Sequence, residues 1–207
     1  LRCAAVLVAA LLPTRRAEAL PAFARAHGVS CTLCHDPVPR LSAFGESFVA
    51  NGYRFHPGQA TPDALHTGDG LLELPSSLRL AIRFDAYAMA YTNGRLATDL
   101  QTPYTLKLVS GGPLSENLSY LIGFMMSERG ETGSIEDVFL TWSELAGAPV
   151  SVSVGQLQVS AVIFPRELRL ERQDLVVYRT RVGASPVDLT YDRGLMVGAD
   201  VAGFALN

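Results

Sequence analysis

From Leu78 the chain alternates with a period of two over about fourteen residues, and this pattern limits the folds open to it. One face reads Leu78, Leu80, Ile82, Phe84, Ala86, Ala88 and Ala90, and the other Arg79, Ala81, Arg83, Asp85, Tyr87, Met89 and Tyr91. Such a strand is longer than most globular strands. It suits a transmembrane β-strand with lipid on one side and a polar lumen on the other. A soluble β-sandwich has the same period, with one face inward and one in water. Alternation alone leaves both open.

More strand patterns follow, at Tyr104–Ser110, Leu118–Ser127, Ile135–Trp142, Pro149–Gly155 and Leu195–Phe204. Gly111-Gly112-Pro113 separates the first two, and Glu128 to Gly133 reads as a polar loop. Leu118, Tyr120, Ile122, Phe124 and Met126 share one face. The total is about six strands, suited to antiparallel hairpins. Small and charged residues occupy the strand centres of the polar face, while Tyr87, Tyr91 and Trp142 lie near strand ends. An interfacial aromatic girdle has that arrangement, which favours the membrane barrel. Membrane barrels need about eight strands to close, so this reading expects the chain to be a fragment of a longer protein. No stretch after Leu12 is long and apolar enough for a transmembrane helix.

Ahead of the strands stands Cys31-Thr32-Leu33-Cys34-His35, the C-x-x-C-H attachment signature of a c-type haem. Two thiols add across the porphyrin vinyl groups, and the following imidazole reaches the iron as proximal ligand. A thioredoxin-like thiol pair is the first alternative, but it belongs near a βαβ pattern, and none is found. A zinc half-site is the second, but no further Cys or His pair completes it.

The segment from Cys3 to Leu12 is an apolar run with the length of a signal-peptide core. Arg2 precedes it, and Ala17-Glu18-Ala19 gives a small-x-small cleavage pattern, so residues 1–19 read as a signal peptide. A short uncleaved anchor helix is the alternative, and either implies export. Cys3 leaves with the signal, so the remaining thiols are Cys31 and Cys34, and no disulfide framework is expected. The formal charge of −3 becomes −5 without residues 1–19, which carry three arginines and one glutamate. That balance excludes a nucleic-acid partner. Lys107 is the only lysine, which reads as base composition rather than function.

Residues 20–57 read as the haem module. Leu41, Phe44 and Phe48 fall at helical spacing in an expected helix from Arg40 to Asn51, with Asn51-Gly52 as its stop. Pro37 and Pro39 keep the preceding segment extended. Gly58, Pro62, Gly68, Gly70 and Pro75 mark residues 58–76 as a linker, and 77–207 carry the strands. His56, a few residues beyond the helix, is the first candidate for a sixth iron ligand. His27 stands four residues before Cys31, tethered too closely to reach the distal side, and His66 lies in the linker. Met89, Met125, Met126 and Met196 fall on strands and read as packing residues.

Pro21-Ala22-Phe23-Ala24-Arg25, Ser30 to His35, Pro39-Arg40-Leu41-Ser42-Ala43-Phe44-Gly45-Glu46 and Asn51-Gly52-Tyr53-Arg54 together resemble the start of a bacterial family. In that family a small monohaem cytochrome c module precedes an outer-membrane β-barrel, and the fused cytochrome–porins of iron-oxidising bacteria are its best-known relatives. A second stretch resembles phosphate-selective and related porins. It begins at Gly155-Gln156-Leu157, passes Pro165, Glu167, Leu168, Arg179 and Arg181, and reaches Tyr191-Asp192-Arg193-Gly194 and Val197-Gly198. Leu157 stands where those porins usually carry an aromatic residue.

The resemblance implies a mainly β protein: a small α-helical haem c module followed by part of an antiparallel outer-membrane β-barrel. Cys31 and Cys34 would be the thioether cysteines and His35 the proximal ligand of one covalent haem c. The implied activity is one-electron transfer rather than catalysis. Implied partners are a periplasmic electron carrier, an external redox donor or acceptor, and outer-membrane lipid. A soluble periplasmic cytochrome with a β-sandwich and a passive porin are the alternatives.

Overall fold

A computed structural model describes residues 22–36, 40–56, 59, 64–66, 68, 73–75, 79–92, 96–159, 176–179, 181, 183–186, 189–201 and 204–206. The expected signal segment lies outside these residues. Three short helices come first: α1 (Ala22–His27), α2 (Cys31–Cys34) and α3 (Ala43–Ala50). Within the expected linker, β1 (Ala64–His66) pairs antiparallel with β2 (Glu73–Pro75).

The rest is one antiparallel sheet. Its strands are β3 (Leu80–Thr92), β4 (Leu96–Pro113), β5 (Leu118–Glu128), β6 (Glu131–Thr132), β7 (Ile135–Trp142), β8 (Val150–Gln158), β9 (Tyr191–Val201) and β10 (Phe204–Leu206). Their order is β10-β9-β8-β7-β5-β4-β3, with β6 folding back on the end of β5. A single helical turn, α4 (Val176–Arg179), precedes β9. The protein is therefore mainly β, as the alternation implies, and its sheet is open, with β3 and β10 at the edges.

Pairing fixes which side chains share a face. Ile82 stands opposite Leu108, which stands opposite Phe124, while Tyr120 is opposite Leu140 and Leu140 opposite Val154. These apolar rows face outward, with Ile82 66% and Leu195 63% exposed. The other face mixes polar side chains with apolar ones, including Met125 opposite Lys107 and Leu121 opposite Phe139. Lys107, Ser119, Glu136 and Ser153 are buried there, and Thr141 Oγ1 lies 2.7 Å from Ser153 Oγ. A soluble sandwich would have the opposite arrangement, with apolar rows inside.

The helical module rests on the polar face. Phe23 approaches Gly111, and Gly52 lies against Ser119. Arg25 Nη2 donates to the Leu80 carbonyl at 3.1 Å, and the buried Arg54 donates to the Ser115 carbonyl in the β4–β5 turn. Burial first, and the Asp137 carboxylate second, push the Tyr53 phenol well above the usual tyrosine range.

Candidate haem site

The Cys31–Cys34 turn is held from both sides. Ser30 caps it, its hydroxyl accepting from the Thr32 N–H at 3.3 Å. The His35 N–H donates to the Cys31 carbonyl at 3.0 Å, closing the turn, and His35 then becomes extended and bridges Leu41. From the other side, the Ser42 N–H donates to the Cys34 carbonyl at 2.9 Å and its hydroxyl to the Leu33 carbonyl at 2.8 Å. The same hydroxyl accepts from the Gly45 N–H at 3.2 Å, capping α3. Ser42 thus fastens α3 to the cysteine turn.

The helix begins at Ala43 rather than Arg40 because Leu41 is used in the bridge to His35 and Ser42 is the cap. The expected row of Leu41, Phe44 and Phe48 is accordingly split. Leu41 precedes the helix, Phe44 is 36% exposed and Phe48 is buried.

Cys31, Cys34 and His35 line one hollow of about 160 Å³, together with Phe23, His27, Leu41, Phe48, Val49, Tyr53 and Phe55. The aromatic rings interlock: Phe23 stacks on Tyr53 at 4.9 Å and meets Phe48 edge-on at 5.6 Å. Both thiols are free and half-buried. Burial first, then the neighbouring Cys31, raise the Cys34 thiol above its ordinary value. His35 Nδ1 is buried without a hydrogen-bond partner.

An apolar, aromatic-walled hollow with two free thiols and an adjacent imidazole fits the chemistry of a covalently attached haem. Its volume of about 160 Å³ is below the ~300–1,000 Å³ of small-molecule sites, so the fit is one of donor chemistry and lining rather than of enclosed space. Among the described residues, no three His, Cys, Asp or Glu side chains converge to hold a metal ion directly.

The three motif residues are brought together, whereas His56 is exposed and stands outside the hollow wall. His27, set aside from its position in the sequence, is in that wall. The reason is Gly28, whose φ of +64° is left-handed and ends α1 with the Val29 N–H donating to Ala24. This turn redirects the chain between His27 and the cysteines. Sequence reasoning also missed the buried ion pair of Lys107 Nζ and Glu136 at 2.9 Å on the polar face of the sheet. The solitary lysine was its only signal. No protein-family model, curated protein or solved structure matches the chain.

Proposed function

We propose that this chain is a monohaem c-type cytochrome module joined to part of an outer-membrane β-barrel, and that it transfers single electrons at the outer membrane. The partners are a periplasmic carrier and an external donor or acceptor. The observation that carries the reading is the grouping of Cys31, Cys34 and His35 around one aromatic hollow.

The haem would supply a one-electron iron couple. Cys31 and Cys34 would hold it, each S–H adding across a vinyl C=C so that sulfur takes one carbon and hydrogen the other. His35 would ligate the iron. Phe23, Phe48 and Phe55 line the hollow with apolar surface, and Ser42 fixes the turn that presents the thiols.

The inverted sheet supports the membrane part of the reading. Ile82, Phe84, Leu140, Trp142, Val154 and Leu195 are all exposed on the side opposite the haem module. In water several large apolar side chains would be left exposed on one face of the sheet. In a bilayer they would face hydrocarbon, with the polar face and the module in the lumen.

The test is expression of the full-length protein with a c-type maturation system, followed by a denaturing gel stained for haem peroxidase activity. The wild type should give a haem-stained band and the Cys31→Ala, Cys34→Ala double variant none. A wild-type band without covalent haem overturns the reading.

A further inference from the structure

We propose that His27, together with His35, would supply a second protein ligand to the haem iron. This rests on the cytochrome reading above. A six-coordinate haem c needs a second strong ligand, and imidazole or thioether side chains supply it. Among the described side chains of these types, His27 and His35 alone line the hollow. His56 is exposed and outside it, and Met126 is exposed on the sheet's outer face. Met125 is buried on the sheet, in the row of Lys107 and not in the hollow wall.

The fold directs His27 to this place. It is the last residue of α1, and the left-handed turn at Gly28 separates that helix from the cysteine turn. Consequently its imidazole is not carried along the Cys31–Cys34 backbone, as a continuous helix would carry it. Two rings fix its orientation: Phe55 at 4.6 Å between centroids, and Phe48 edge-on at 5.7 Å. A side chain whose rotamer is held by packing in the wall of an apolar cavity loses little freedom on binding a group there. Two imidazoles also set the potential lower than a His/Met pair.

The experiment uses full-length holoprotein in detergent, with covalent haem first verified on the stained gel. Optical and electron paramagnetic resonance spectra of wild type should be low spin. His27→Ala should turn the ferric haem high spin and let the ferrous iron bind carbon monoxide. His27→Met should keep a low-spin haem while gaining a sulfur–iron charge-transfer band and a raised potential, which a purely structural role would not produce. Covalent haem that stays fully low spin in His27→Ala overturns the assignment and leaves the cytochrome reading standing. Loss of the low-spin signal in His56→Ala but not in His27→Ala does the same. If His27→Ala yields no haem-bearing protein, His27→Met decides: the sulfur–iron band supports the assignment, and an unshifted spectrum overturns it. Absence of covalent haem from wild type removes both the reading and the assignment.

Discussion

Gly45→Ala is a severe test of how the N-terminal helical module is assembled, because two physical effects oppose each other there. Gly45 lies inside α3, where alanine is the better helix former by about 1 kcal/mol. Propensity alone therefore predicts stabilisation. Packing predicts the reverse. A Cβ at Gly45 would overlap the Cys34 carbonyl oxygen and come within 3.0 Å of its carbonyl carbon and 3.2 Å of its Cα. The obstacle is backbone, so no side chain can rotate away. Relief requires α3 to back off the cysteine turn, and that motion strains the 2.9 Å bond from the Ser42 N–H to the same carbonyl. Overpacking costs about 1–3 kcal/mol, and a lost backbone hydrogen bond ~0.5–1.5 kcal/mol. Set against the propensity gain, the net is a destabilisation of about 2 kcal/mol, or roughly thirtyfold in the opening equilibrium. Hydrogen exchange at the Ser42 and His35 amides, measured on holoprotein in detergent, reads that opening directly. Exchange at least tenfold faster in Gly45→Ala is expected. Exchange equal to or slower than wild type would mean that α3 does not rest on the cysteine turn, and the account of the site would be wrong.

The sheet offers two further tests. Ile82→Arg should block assembly into the outer membrane, since an arginine in the lipid face costs about 2–4 kcal/mol near the midplane. Arg83→Ala, one residue along, should assemble normally, because its pair with Asp85 at 2.9 Å is part-exposed and worth at most about 1 kcal/mol. Cell fractionation distinguishes them, and normal assembly of Ile82→Arg refutes the lipid-facing assignment. Lys107→Met removes the cation from a buried carboxylate and should destabilise by about 3–5 kcal/mol, whereas Lys107→Met with Glu136→Leu should recover most of that loss. Guanidinium unfolding measures both, and a single variant as stable as the double would refute the ion pair's role.

Strand periodicity was readily legible, and its limits have physical causes. Ile135–Trp142 agrees with the alternation at both ends. The strand β4 begins at Leu96, well before the expected Tyr104, because Thr98, Asp99, Gln101 and Pro103 look like a loop. Proline removes a ladder donor and normally interrupts a strand. Here the register jumps from Asp85↔Thr105 to Tyr87↔Gln101, so Pro103 falls where the ladder with β3 is already broken. The irregularity absorbs the proline, and this depends on β3 as much as on β4. Similarly, Glu131 and Thr132, polar enough to read as loop, pair with Ser127 and Glu128 in a short hairpin. At the N-terminal helical module the C-x-x-C-H motif itself was legible, but the neighbours that complete the hollow were not. His27 enters through one left-handed glycine, and Gly45 is required by the proximity of a carbonyl that no local pattern reports.

The placement of charge argues for the membrane reading more strongly than the apolar rows do. A soluble sheet would keep Lys107 and Glu136 in water and bury Ile82, Phe84 and Leu195. Each large apolar side chain left exposed forgoes about 1.5–3 kcal/mol of burial, and each buried charge costs several more unless paired. The observed sheet carries both features at once: large apolar side chains exposed on one face and a buried ion pair on the other. In a bilayer the first penalty vanishes, because hydrocarbon is the medium those side chains prefer. The second is offset by the 2.9 Å pair and the polar row around it. The same reasoning constrains the edges. In hydrocarbon every backbone N–H and C=O must be bonded, so on the membrane reading β3 and β10, the edges among the described residues, would each need a partner strand. The haem module, tied by Arg25 to the first residue of β3 and by Arg54 to the β4–β5 turn, would then sit on the lumen side of a closed wall.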